Sequence, residues 1–430
     1  MEHGIDSGAV AVVSACLVLW GLVSSRLVRA DVTGPIAFVV VGLVAAHGPV
    51  PLVHLQLDSQ QVRSVVEVTL AIVLFADAAR VDVRGPARRF GTAARLLGIG
   101  LPLTLLSGFA AAAWLVGGAG LWAAALAAAI VAPTDAALGA SLVDDERIPR
   151  GVRRALNVES GLNDGIVAPF VNLFLAGALS AELAASPGVG DAVVELAGGL
   201  GIGAGVGALG AILLQVAQRA GWGAAGFRPL AVSALAVLAY SSALAAGANG
   251  FVAAFVAGLA FGRVTGNEAT ALVFTEQAGE LLSLVVWYAF GAVLLVPGIE
   301  DATWADVGFA VLALTVVRAV PVGLALLGSG LDRATIAFIA WFGPRGLASV
   351  VFGLVAVDKL DPAASQLLLG AVTVTVVASV VLHGVSASPL ARRYGDRARG
   401  IARASPEHAG DGPMRSRAVT GTRWSLRRRG

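Results

Sequence analysis

The chain predicts an all-α polytopic membrane protein of about thirteen transmembrane helices, built as an inverted repeat with two discontinuous helices that cross. Three observations predict it. Of 430 residues, 57% are hydrophobic and 13% are charged, about half the charge of an ordinary soluble domain. The apolar residues form long continuous runs and do not alternate, which excludes a transmembrane β-barrel. Two of the runs are interrupted by a proline beside a charge, at Pro133-Thr134-Asp135 and Gly343-Pro344-Arg345.

The apolar runs fall at about residues 8–25, 33–46, 64–79, 93–117, 120–143, 153–180, 191–217, 229–246, 250–266, 280–297, 304–327, 333–357 and 366–388. Several approach the ~20 residues that a helix needs to cross the hydrocarbon core. The second is short and stops at His47-Gly48-Pro49. The seventh carries seven glycines between Gly198 and Gly210. Its GxG patterns follow no strand, so close helix packing explains them better than a nucleotide loop. Cys16 is the single cysteine, so no internal disulfide can form. Residues 1–390 read as the membrane domain. Residues 391–430 are polar, arginine-rich and without apolar periodicity, and read as a disordered cytoplasmic tail.

Orientation follows from arginine. With thirteen spans and the C-terminus inside, fifteen arginines lie in cytoplasmic loops, including Arg80, Arg84, Arg88, Arg89, Arg95, Arg147, Arg150, Arg153 and Arg154. The outer loops hold only Arg63 and Lys359. That asymmetry places the N-terminus outside, in a cell-membrane protein.

The two interrupted runs are the fifth and the twelfth. Proline removes a backbone donor and crowds the preceding turn, and freed backbone groups inside a bilayer must be satisfied by protein, ion or water. An offset of seven spans sends the two segments through the membrane in opposite directions, the signature of an inverted repeat with a midplane site. One break carries Asp135 and the other Arg345. Opposite charges there can neutralise the half-helix ends, and each other. Two simple kinks are the plainer alternative.

The sixth run opens with Glu159-Ser160-Gly161-Leu162-Asn163-Asp164-Gly165, polar where a span should be apolar. A charge at bilayer depth costs roughly 2.5–3.5 kcal/mol on insertion scales. At 100° per residue Glu159, Ser160, Asn163 and Asp164 share one arc. Alkali cations take oxygen ligands, and Asp164, Ser160, Glu159 and the unwound backbone at Thr134 can supply them. A buried carboxylate that holds either a proton or a cation performs exchange. Glu159 is expected to pair with Arg345, with Asn163 in reach, which leaves open whether it ligates the ion or only fixes helices. Arg318, deep in the eleventh run, is expected to pair with Asp135. Asp77 reads as interfacial. His383, near the end of the last run, could sense pH.

These motifs, with Gly250-Phe251-Val252-Ala253-Ala254-Phe255-Val256-Ala257-Gly258, resemble the cation:proton antiporter-1 family, the NhaP-type sodium/proton exchangers, over roughly residues 8–388. The resemblance implies a homodimer. Core helices would lie at about 93–180 and 304–388, dimerisation helices at about 8–79 and 229–297, and a linker helix at about 191–217. It implies that Na+, or K+ or Li+, binds at Asp164, Ser160, Glu159 and Thr134, with structural roles for Asn163 and Arg345. No cofactor is implied beyond the transported cation and proton, and no enzymatic activity. With Asn163 in place of a second carrier acid, exchange is expected to be electroneutral. Departures are Phe75-Ala76-Asp77-Ala78-Ala79, a looser acidic segment, and Ala136-Ala137 after Asp135, where many members have proline and valine. A sodium-coupled symporter of an organic anion is the alternative. It would need a second polar cluster, and none is visible.

Overall fold

The computed structural model describes residues 7–30, 32–49, 51–53, 60–81, 91–116, 118, 120–135, 138, 145–182, 189–266, 269–402 and 405–408. Most of the second half of the fifth run, the loop arginines 84, 88 and 89, and the tail beyond 408 lie outside the described residues. The regular elements among the described residues are all helical. Eight of them are long and apolar enough to cross a membrane on their own.

Two groups of helices pack together. The first contains α1 (Ser7–Arg29), α2 (Gly34–His47), α3 (Gln60–Ala79), α7 (Val189–Arg219), α8 (Arg228–Ala245), α9 (Gly250–Thr265) and α10 (Ala269–Ala289), which runs on through a π-helical turn to Glu300. The second contains α4 (Gly91–Leu115), α5 (Gly120–Val131), α6 (Arg150–Glu182), α11 (Trp304–Leu314), α12 (Val316–Ala325), α13 (Arg333–Trp341), α14 (Leu347–Val357) and α15 (Pro362–Ala398). Contacts of α3 with α6 and α14, and of the end of α10 with α15, join the groups.

The glycines of α7 do what close packing requires. Gly199, Gly203 and Gly207 recur every fourth residue and so line one stripe. A Cβ on any of them would stand 2.3–2.7 Å from a backbone oxygen of Asn249, Ala253 or Ala257. At one end of the bundle Arg63 of α3 reaches Asp358 just past α14 at 2.5 Å, and Glu67 at 3.0 Å. Tyr240 donates to Glu67 at 2.7 Å.

Helix is lost at three places within the second group. Between α5 and residue 135, and between α13 and α14, the chain runs without helix at the two expected breaks. The third interruption was not anticipated. The run 304–327 is two helices, parted at Thr315 (φ −116, ψ −93). Pro321 inside α12 cannot bond the Val317 carbonyl, and the Ser107 hydroxyl approaches that oxygen at 3.4 Å.

The last helix corrects the expected tail. α15 continues to Ala398, and Pro406–His408 form a 3-10 turn with Glu407 buried. The Glu407 carboxylate accepts from Asp332 N at 2.7 Å and from the Thr335 hydroxyl at 3.2 Å. This caps the start of α13, beside Asp332, whose own carboxylate accepts from Ala334 N at 3.1 Å. Polar composition hid this contact because a single buried carboxylate leaves no periodic signal.

Candidate ion site at the crossing of the two breaks

The two breaks meet. Asp135 N donates to the Pro344 carbonyl at 2.7 Å. Each break's charge then serves the other break's half-helix. The Asp135 carboxylate accepts from Leu347 N, the first residue of α14, at 2.9 Å. The fully buried Arg345 donates to the carbonyls of Ala132 and, at 3.4 Å, Pro133, just past the end of α5. An anion at a helix N-terminus and a cation at a C-terminus both oppose the helix dipole. Arg345 also donates to the Ala313 carbonyl at 3.0 Å, an oxygen exposed by the interruption at Thr315. Little room is left: a Cβ on Gly346 would lie 2.1 Å from Asp135 Oδ2, and one on Gly343 2.6 Å from Arg318 Nε.

The first break faces α6. Thr134 Oγ1 accepts from Asn163 Nδ2 at 2.7 Å and lies 3.0 Å from Ser160 Oγ. Asp164 lies one turn beyond Ser160 on the same helix. Thr134, Glu159, Ser160, Asn163 and Asp164 are all buried. Asn163 Oδ1 has no hydrogen-bond partner among the described residues, so an acceptor oxygen remains inside the cluster. Gly165 admits the Phe255 ring of α9, which a Cβ would meet at 2.0 Å.

Chemically this is a buried cluster of hydroxyl, amide and carboxylate oxygens beside an unwound backbone. Such a set suits a hard monovalent cation or a proton. Residues 12–393 match the transmembrane sodium/hydrogen exchanger family.

The chain belongs to the sodium/hydrogen exchanger family.

Its fold agrees. The sodium proton antiporter MjNhaP1 from Methanocaldococcus jannaschii at pH 8 superposes with a TM-score of 0.72 and 19% identity, over 90% of this chain and 98% of that one. An electron-microscopy structure of the same antiporter gives 0.65 at 18% identity, over 91% and 98%. In sequence, the K(+)/H(+) antiporter NhaP of Alkalimonas amylolytica is 26% identical over 377 residues, 86% of this chain and 64% of that relative. This chain thus spans a little under two thirds of the relative's length.

Within this exchanger-family chain, two expected pairings are exchanged. Arg318, not Arg345, meets Glu159: Nη1 and Nη2 donate to Oε1 and Oε2, the second at 2.9 Å. Arg345 takes backbone carbonyls instead of Glu159, and Asp135 caps α14 where Arg318 was expected to be its partner. The reason is spatial. The interruption at Thr315 turns Arg318 toward α6, while carbonyls freed at two interruptions converge on Arg345. Asp77 keeps its place near the end of α3, two residues before Ala79. It is buried on α3, and the Cβ position of Gly161 lies 3.6 Å from its own Cβ. His383 is buried beneath the second break.

Proposed function

We propose that this protein is a secondary antiporter exchanging a monovalent cation for a proton across the cell membrane. Asp164 carries either species in turn. Ser160 and the Thr134 backbone complete the oxygen shell. Glu159 contributes mainly through its Arg318-neutralised carboxylate, while Asn163, Arg345 and Asp135 hold the crossing. One exchangeable carboxylate per site makes the exchange one for one, and so electroneutral. The observation that carries this reading is the contact of Thr134, at the first break, with Ser160 and Asn163 of α6, one turn from Asp164, in a chain of this family. The family comprises exchangers, which disfavours the symporter alternative.

Na+, K+ and Li+ all fit the donor set. The relatives bear both ion names: one is called a K(+)/H(+) antiporter and the other a sodium proton antiporter. The second helix group would be the mobile core. The first would be the dimerisation scaffold, with α7 as linker. α1 presents Val10, Val18, Leu19 and Leu22 outward, which suits lipid or a second copy. The N-terminus would lie outside and the tail in the cytoplasm.

Proteoliposome proton flux driven by Na+, K+ and Li+ in turn, with and without clamped voltage, tests this. Saturable cation-driven flux that ignores voltage is expected. Flux that needs no opposing proton movement would end the antiport reading.

A further inference from the structure

The buried ring of His383 has no part in the ion site described above, yet it touches the break that supports that site. α15 presents Ser379, His383 and Ser386 on one stripe, spaced four and three residues. All three bond the second break or the helix leading into it. Ser379 Oγ accepts from Arg345 N at 2.6 Å. Ser386 Oγ accepts from Trp341 Nε1 at 2.9 Å. His383 Nε2 lies 2.9 Å from the Trp341 carbonyl oxygen, and the Trp341 and His383 rings pack with centroids 5.5 Å apart.

Proton bookkeeping settles which way these bonds run. A carbonyl only accepts, so Nε2 must carry a proton. Nδ1 has two neighbours, Ser379 Oγ at 3.2 Å and the Ser379 carbonyl at 2.9 Å. A neutral ring takes the hydroxyl proton at Nδ1; a protonated ring donates to the carbonyl. The bond from Nε2 to Trp341 is the same in both states. Trp341 is the last residue of α13, where carbonyls have lost their helical donors. His383 and Ser379 therefore hold both ends of the break: the Trp341 carbonyl on one side and Arg345 N on the other.

We infer that His383 is a positioning residue for ion exchange, acting through the second break. Arg345 is fixed by its main chain at Ser379 and by its side chain at the carbonyls of Ala132 and Pro133. Pro344 is fixed to Asp135. The register of Thr134 against Ser160 is thus set partly from α15. The inference rests on the cation site proposed above.

The test is cation-driven proton flux in proteoliposomes for His383→Ala, His383→Gln and Ser379→Ala, each checked for folding by heat denaturation in detergent. Losing one bond that sets geometry should raise the half-saturating cation concentration of His383→Ala about five- to tenfold, with maximal turnover changed less. His383→Gln keeps an amide donor for the Trp341 carbonyl and should recover most of the affinity. Ser379→Ala should share the affinity defect, and it tests the same clasp if His383→Ala fails to fold. An unchanged half-saturation in folded His383→Ala or Ser379→Ala overturns the inference, as does a glutamine variant no better than alanine. Asp164→Asn run in parallel separates the two readings: if it still exchanges, the proposed site is wrong irrespective of His383.

Discussion

The two breaks begin from similar sequence and end in different employment. Each pairs a proline with a charge, and each charge caps the other's half-helix. The second is enclosed: Arg345 is fully buried, its backbone is held by α15, and its guanidinium donates to protein carbonyls. The first is open to chemistry: Thr134 turns its hydroxyl toward Ser160 and Asn163. By the function proposed above, one break thus supports and the other serves. The difference lies in what packs opposite, the clasp of α15 in one case and the polar arc of α6 in the other.

Perturbing both sides sharpens that contrast. The largest effect is expected at the serving side. Asp164→Asn should abolish cation-dependent proton movement in vesicles while leaving the melting temperature near that of the parent. Substantial exchange in this variant would remove Asp164 from the carrier role.

Next comes the ion pair between α12 and α6. Removing one partner of a buried pair leaves an uncompensated charge and costs about 3–5 kcal/mol. Glu159→Gln and Arg318→Met should each destabilise by that order, and the double variant should recover much of the loss. Thermal unfolding of all three checks this, and simple additivity would show that the two side chains do not act as a pair.

The supporting side comes third. Gly346→Ala would drive a methyl into the Asp135 carboxylate and remove the cap of α14, a loss of about 0.5–2 kcal/mol for a helix cap, together with lowered exchange. Gly161→Ala, with 3.6 Å to its nearest neighbour Asp77, should be far milder. Equal effects of the two would contradict the tight packing at the crossing.

The smallest effect is expected where the tail touches α13. Burial raises the Glu407 carboxyl, but the Asp332 amide and neighbouring donors outweigh it and hold the group below its usual range. A depressed folded value means that the contact is intact at neutral pH. It weakens as pH falls through the ordinary carboxylate range toward that lowered value. Glu407→Gln should flatten this acid dependence without changing turnover at neutral pH. Amide exchange at the start of α13, followed from pH 7 to 4, measures it; an unchanged acid profile in the variant would show that Glu407 is not the titrating group.

Much of this was legible in the chain. Pro133 and Pro344 announced the breaks, because proline's missing donor is a local property. Glu159, Ser160, Asn163 and Asp164 announced a shared face, because helical spacing is local too. Gly199, Gly203 and Gly207 announced a close contact by the same rule. The interruption at Thr315 carried no comparable mark, since Pro321 lies six residues away and inside the following helix. Glu407 was invisible because its partners, Asp332 and Thr335, lie over seventy residues earlier.

The sequence by itself therefore determined an all-helical membrane chain with two broken spans and one polar face, since composition, periodicity and proline act through neighbouring residues. Only the tertiary structure decided that Arg318 neutralises Glu159, that Arg345 gathers carbonyls from two other helices, and that His383 lies beneath the second break. Those choices depend on which helix ends converge in space, and spacing along the chain carries no record of that.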